Sequence, residues 1–171
     1  MLWYNHRIVS ASVAFCLTGQ LAPMILAYKG STIPDQVEGT NYTSEAWAIN
    51  HRMNSHYWFF YLVPFIFSTL WLEAWTLSLT STGLTHMFYN APESTLILFA
   101  VYAVQWLSIG SLMHIVEDFF CGKIPGVTVS HRIGIRIFSV GSAQEFYLSM
   151  IAVLVCILAR LFWAPVFFVG I

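Results

Sequence analysis

Four apolar runs, near Ile8–Tyr28, Tyr57–Leu79, Thr95–Val116 and Phe146–Gly170, leave this chain few ways to fold. Crossing a hydrocarbon core takes about 20 helical residues, and each run is long enough. Lipid offers no partner to backbone N–H and C=O groups, so such runs must be helices or barrel strands, and no strand pattern competes here. Only 9% of the residues are charged, against roughly 25% in a soluble domain. The expected fold is therefore all-α: a polytopic membrane bundle of about four transmembrane helices. The loops are too short for a separate soluble domain, so residues 1–171 are read as one membrane-embedded domain.

Charge and cysteine usage remove other classes. With seven basic residues and a net charge of -1, the chain has no broad positive surface, so no nucleic-acid partner is expected and the bilayer is the main one. Cys16, Cys121 and Cys156 have no paired spacing, which argues against a disulfide framework and a thiolate zinc site.

The residues least at home in such a chain cluster in Gly110-Ser-Leu-Met-His114-Ile-Val-Glu117-Asp118. On a helix, His114 and Asp118 lie one above the other, a spacing that can share an ion. Glu117 sits about 100° round the helix, either an acid behind the ligands or one that meets water. Upstream, Pro34-Asp35 lies in a polar loop whose turn residues can aim the carboxylate inward. Asn50-His51-Arg52-Met-Asn-Ser55-His56 then precedes an aromatic run typical of a membrane interface. His51 and His56 can face one site if His51 precedes the helix and His56 opens it. Arg52 either shares that site or snorkels. His86 reads as a surface histidine, Glu73 and Arg160 as a structural pair, and Ser142 with Glu145 as a helix capping box. Alternation through Arg132–Phe138 suggests an extended or interfacial segment.

Four spans place Asp35, His51, His56, His114 and Asp118 on one face of the bundle. Lys29, Arg52, Lys123, Arg132 and Arg136 fall on the same face, which the positive-inside bias makes cytoplasmic. His6 falls on the opposite face unless the first run is broken.

The order of these motifs resembles the bacterial inner-membrane metal-dependent hydrolase family (YdjM-like). The likeness runs from His6 through Pro34-Asp35, the His51-Arg52-x-x-Ser55-His56 box and His114-x-x-x-Asp118 to Gly141 and Glu145. It implies a helical hydrolase of the bacterial inner membrane, distantly similar to zinc-dependent phospholipases C, with His6 as a further ligand. Two positions depart from the family pattern. Val37 stands where a second acid is usual, with Glu38 directed elsewhere if the segment is extended, and Met53 and Ser55 replace Gly and Thr.

The chemistry expected is hydrolysis of a lipid-linked or membrane-associated phosphoester. His6, Asp35, His51, His56, His114 and Asp118 hold a divalent metal, Zn²⁺ first, with Mn²⁺ or Fe²⁺ as alternatives. Arg52, with Arg132 or Arg136, stabilises anionic oxygen, and Glu117 assists. The rival readings are a non-catalytic haem or metal-binding bundle, with His56 and His114 as axial ligands, and an assembly protein that has kept the fold.

Overall fold

A computed structural model describes residues 1–39, 52–82 and 92–163. His51 and His86 lie outside the described residues. The chain forms α1 (Trp3–Thr18), α2 (Leu21–Gly30), the short α3 (Ile33–Glu38), a 3₁₀ turn (Asn54–His56), α4 (Phe59–Thr82), α5 (Pro92–Cys121) and α6 (Ala143–Trp163). Between α5 and α6, β1 (Ile124–Pro125) and β2 (Arg132–Ile133) pair antiparallel, with Ile124 opposite Ile133.

Three segments among the described residues are long and apolar enough to cross a membrane, Asn54–Thr76, Thr95–Cys121 and Ala143–Phe162, rather than the four expected. The first run is broken. Gly19 ends α1 in the left-handed conformation (φ 68°), which glycine adopts without penalty, and its N–H reaches Phe15 O at 2.7 Å. A side chain at Gly19 would also collide with the Arg160 guanidinium. The break thus precedes Pro23, which sits in the first turn of α2, where its missing donor is harmless. Arg160 meets this backbone, and no ion pair among the described residues joins it to Glu73, contrary to the pairing expected for those two.

Folded back at Gly19, α1 and α2 form a helical hairpin that begins and ends at the same end of the bundle. The Arg7 guanidinium packs over the Tyr28 ring at 5.4 Å, and Ala14, Ala27 and Trp106 share a buried cluster. This turn brings His6 to the end that holds Asp35 and His114, removing the conflict a continuous first span creates.

Small residues let α2 and α5 approach backbone to backbone, as is usual for helices packed in lipid. A Cβ on Gly30 would strike the Leu107 carbonyl, and one on Gly110 the Ala27 carbonyl. Ser111 Oγ donates to Gly30 O across the seam at 2.9 Å. We expect Gly110→Leu to prise these helices apart. Overpacking of this kind typically costs about 1–3 kcal/mol, read as a lowered unfolding midpoint in detergent.

Polar and apolar surfaces are distributed as a bilayer demands. Phe67, Leu96 and Phe162 are exposed on the spanning helices, whereas Asn5, His6, His56, His114, Asp118 and Glu145 are buried. Glu145 links α6 to α1. Its Oε1 accepts from Leu2 N at 2.6 Å and Asn5 Nδ2 at 2.5 Å, and its Oε2 from Gly141 N at 2.6 Å. Glu145 N in turn donates to Ser142 Oγ at 3.2 Å, the serine half of the expected capping box, while its carboxylate takes Gly141 N rather than Ser142 N.

Candidate metal centre

Four elements meet at the site end of the bundle. The first turn of α1 brings His6, α3 brings Asp35, the 3₁₀ turn brings His56, and the last turns of α5 bring His114, Glu117 and Asp118.

Four polar atoms crowd together here: His56 Nε2, His114 Nε2, Asp35 Oδ1 and Asp118 Oδ2. His56 Nε2 lies 3.1 Å from His114 Nε2, 3.4 Å from Asp35 Oδ1 and 3.2 Å from Asp118 Oδ2. His114 Nε2 lies 3.5 Å from each of the same two oxygens. Ligands about 2.0–2.1 Å from a tetrahedral ion are separated from one another by roughly 3.3–3.5 Å, and the distances from the two histidine nitrogens fall close to that range. Each Nε2 carries at most one proton and faces three electronegative atoms, which one hydrogen bond cannot satisfy. A cation at the centre would satisfy them together.

A second group of donors, His6, His114 and Asp118, also converges within 4.8 Å. His6 Nε2 lies 3.5 Å from Asp118 Oδ1, and His6 Nδ1 is 2.6 Å from Glu117 Oε2. With Nδ1–H donated to Glu117, the Nε2 lone pair faces the Asp118 carboxylate, an arrangement that also calls for a cation between them. Glu117 is buried, which removes its reading as an acid in water and makes it the group that orients His6. The His6 and His114 rings stack with centroids 3.8 Å apart, and His114 Nδ1 has no hydrogen-bond partner among the described residues.

Arg52 does not snorkel. Its Nε lies 2.9 Å from Asp118 Oδ2 in an ion pair, and a terminal guanidinium nitrogen donates to Cys121 Sγ at 3.3 Å. The backbone there has φ 61°, uncommon for a residue with a side chain, and is held by a bond from Arg52 N to Glu38 Oε1 at 2.8 Å. The Met1 amino group completes this side, 2.9 Å from Asp118 Oδ1.

Glu38 is a participant the sequence reading directed away from the site. Ile33–Glu38 is helical, with Pro34 in its first turn, so Glu38 at i+3 shares a face with Asp35 while Val37 points out, 67% exposed. Its carboxylate holds Arg52 N and lies 4.0 Å from His56 Nδ1, which also contacts Ser55 Oγ at 2.9 Å. Cys121 is another unexpected neighbour, its Sγ 3.3 Å from Asp118 Oδ1. Arg132 and Arg136 are not among the site residues. A terminal guanidinium nitrogen of Arg132 donates to Lys123 O at 2.7 Å, and one of Arg136 to Ser139 Oγ at 3.2 Å.

Burial alone would raise the Asp35 carboxyl, but hydrogen bonds from His114 and His56 outweigh it and hold the group well below the usual carboxylate range. Asp35 is therefore an anionic donor, as a metal ligand must be. A cavity of about 440 Å³ reaches these residues. Asp35, Glu38, Arg52 and Asp118 form its floor, and Trp3, Tyr4 and Val140 its apolar walls.

The buried histidine and aspartate groups can hold a metal ion. No protein-family model, curated protein or solved structure matches the chain.

Proposed function

We propose that this protein is a membrane-bound, metal-dependent hydrolase acting on a lipid-linked or membrane-associated phosphoester, as its resemblance to the YdjM-like family implies. The observation that carries the reading is the cluster His56 Nε2, His114 Nε2, Asp35 Oδ1 and Asp118 Oδ2, in which each histidine nitrogen lies 3.1–3.5 Å from the other three atoms and whose two aspartates line a cavity. A divalent ion bound there would supply Lewis acidity and bring the pKa of a bound water toward about 7. Imidazole and carboxylate donors suit Zn²⁺, Mn²⁺ or Fe²⁺.

The chain's own groups divide the remaining work. Asp35 and Asp118 provide the negative charge that binds a cation. Glu117 fixes the tautomer of His6, leaving Nε2 free as a donor. Arg52 reaches the cavity floor beside Asp118, where its planar fork can meet phosphate oxygens. His51 remains a proposed ligand from the sequence alone. Axial haem ligation is disfavoured, since Nε2 atoms 3.1 Å apart leave no room for a macrocycle between them.

The deciding experiment is metal analysis of detergent-purified protein beside His114→Ala, followed by assay on bilayer phosphoesters. Stoichiometric metal lost in the variant, with metal-dependent turnover, supports the proposal. Equal sub-stoichiometric metal in both proteins sinks the site. Bound metal without turnover on any phosphoester favours an assembly protein that has kept the fold. Glu117→Gln tests the inner architecture. Removing a ligand's carboxylate partner typically weakens metal binding about 10–100-fold, which chelator competition will read.

The location proposed is the bacterial inner membrane with the site on the cytoplasmic face. With the hairpin closed, Arg7 joins Lys29, Arg52, Lys123, Arg132 and Arg136 near the site end, which strengthens the positive-inside bias. Since α6 leaves from that end, a reporter fused after Trp163 is expected to read non-cytoplasmic. Cytoplasmic activity would reverse the orientation.

A further inference from the structure

The stretch from Gly122 to Gly141 lies beside the site and takes no part in holding a metal. It carries Lys123, Arg132 and Arg136 and has no acidic residue. Ile133, Ile135 and Ile137 are 40%, 54% and 53% exposed, whereas Phe138 is buried with Met1, Val9 and Cys121.

This segment is fastened along its length. Ile135 N donates to Phe119 O at 2.8 Å and Ile137 N to Phe120 O at 2.9 Å, satisfying carbonyls in the last turn of α5. Trp58 Nε1 donates to Gly126 O at 2.7 Å, and Tyr57 Oη to Val127 O at 3.0 Å. The exposed isoleucines are thereby held in register with the aromatic belt at the start of α4. Farther along the chain the strip of exposed apolar residues resumes at Val140 and, on α6, at Phe146 and Tyr147.

We infer that this segment is seated in the headgroup layer of an anionic leaflet, and that the cavity above the metal centre opens into that leaflet rather than into water. The occupant is identified by three independent features. The segment connects two helices apolar enough to span a membrane, α5 and α6, so a bilayer that reaches the ends of those helices also reaches the strip. Its charged residues are all cationic, as contact with phosphate headgroups favours. Exposed isoleucines next to arginines suit an interface, the apolar side chains sinking toward acyl chains and the guanidinium groups remaining at phosphate level.

Val140 connects the seat to the site, since it belongs to the strip and also walls the cavity with Trp3 and Tyr4. An amphipathic phosphoester could enter sideways, its chain along Tyr4 and Val140 and its phosphate toward Arg52. This route of entry rests on the hydrolase reading, whereas the seat itself does not.

The test is depth measurement by nitroxide labels on the full chain in mixed phosphatidylcholine–phosphatidylglycerol vesicles. Single labels replace Tyr4, Ile135, Arg136, Ile137 and Val140 in a Cys16→Ser, Cys156→Ser background that retains buried Cys121, with the unlabelled-site background as control. At Ile135, Ile137 and Val140 we expect oxygen accessibility to exceed that of a water-soluble nickel chelate, with the order reversed at Arg136. Chelate dominance at both isoleucines overturns the seat. Lipid-like values at the isoleucines with aqueous values at both Tyr4 and Val140 retain the seat but overturn the lateral opening. Several labels report each feature, so one misfolded variant does not decide the result. No activity is required, so failure of the hydrolase reading would appear separately, as absent turnover with the depth pattern intact.

Discussion

Asp118→Asn is expected to abolish stoichiometric metal binding, with a loss of affinity larger than the roughly 10–100-fold typical of a partner behind the ligands. The reason is the position of this one carboxylate. Oδ2 faces His56 and His114 at 3.2 and 3.5 Å, and Oδ1 faces His6 at 3.5 Å. Asparagine keeps the shape and removes the charge. It also puts an amide that cannot act as an anionic ligand on one of those two sides, whichever way it turns. The variant also leaves the half-buried Arg52 without its carboxylate, and breaking a buried pair typically costs about 3–5 kcal/mol. Gel filtration and helix content must therefore accompany the metal analysis. A folded Asp118→Asn protein with full metal would make Asp118 only the counter-ion of Arg52.

Local spacing made part of this centre readable. His114 and Asp118 are four apart on one helix, and that geometry holds wherever the helix sits. The Ser142 cap of α6 was legible for the same reason, whereas of the stretch Arg132–Phe138 only Arg132–Ile133 pairs as a strand. What failed was the path of the chain between such motifs. The first run is apolar enough to span, but Gly19 turns it back under Arg160, a residue that approaches only in the folded bundle. The hairpin in turn decides that His6 meets Glu117. Glu38 was lost to a wrong period: read as extended, Ile33–Glu38 separates it from Asp35, and read as a helix with Pro34 in its first turn it does not. Glu73 and Arg160 were paired on depth alone, which ignores rotation about the helix axis.

Arg52→Lys is expected to lower the rate at saturating metal by about 10²–10³, as removal of one transition-state donor does, while leaving metal content near that of the parent. Both side chains are cationic, so long-range attraction of an anionic substrate changes little. The lost feature is the planar fork. In the structure its Nε side holds Asp118 at 2.9 Å, and the guanidinium lines the cavity beside Asp35 and Glu38. Lysine has a single ammonium at the end of a flexible stem. It can keep the bond to Asp118 or reach a phosphate oxygen, but it lacks the rigid array of donors that serves both. The split between KM and kcat separates the roles. An arginine that only binds the ground state raises KM at constant kcat, whereas one that meets charge developed in the transition state lowers kcat. An arginine that only braces Asp118 would show its loss first in metal affinity, read by chelator competition before any substrate is added. Near-equal rates at equal metal would remove Arg52 from the chemistry and leave it as the residue that holds Asp118 in place.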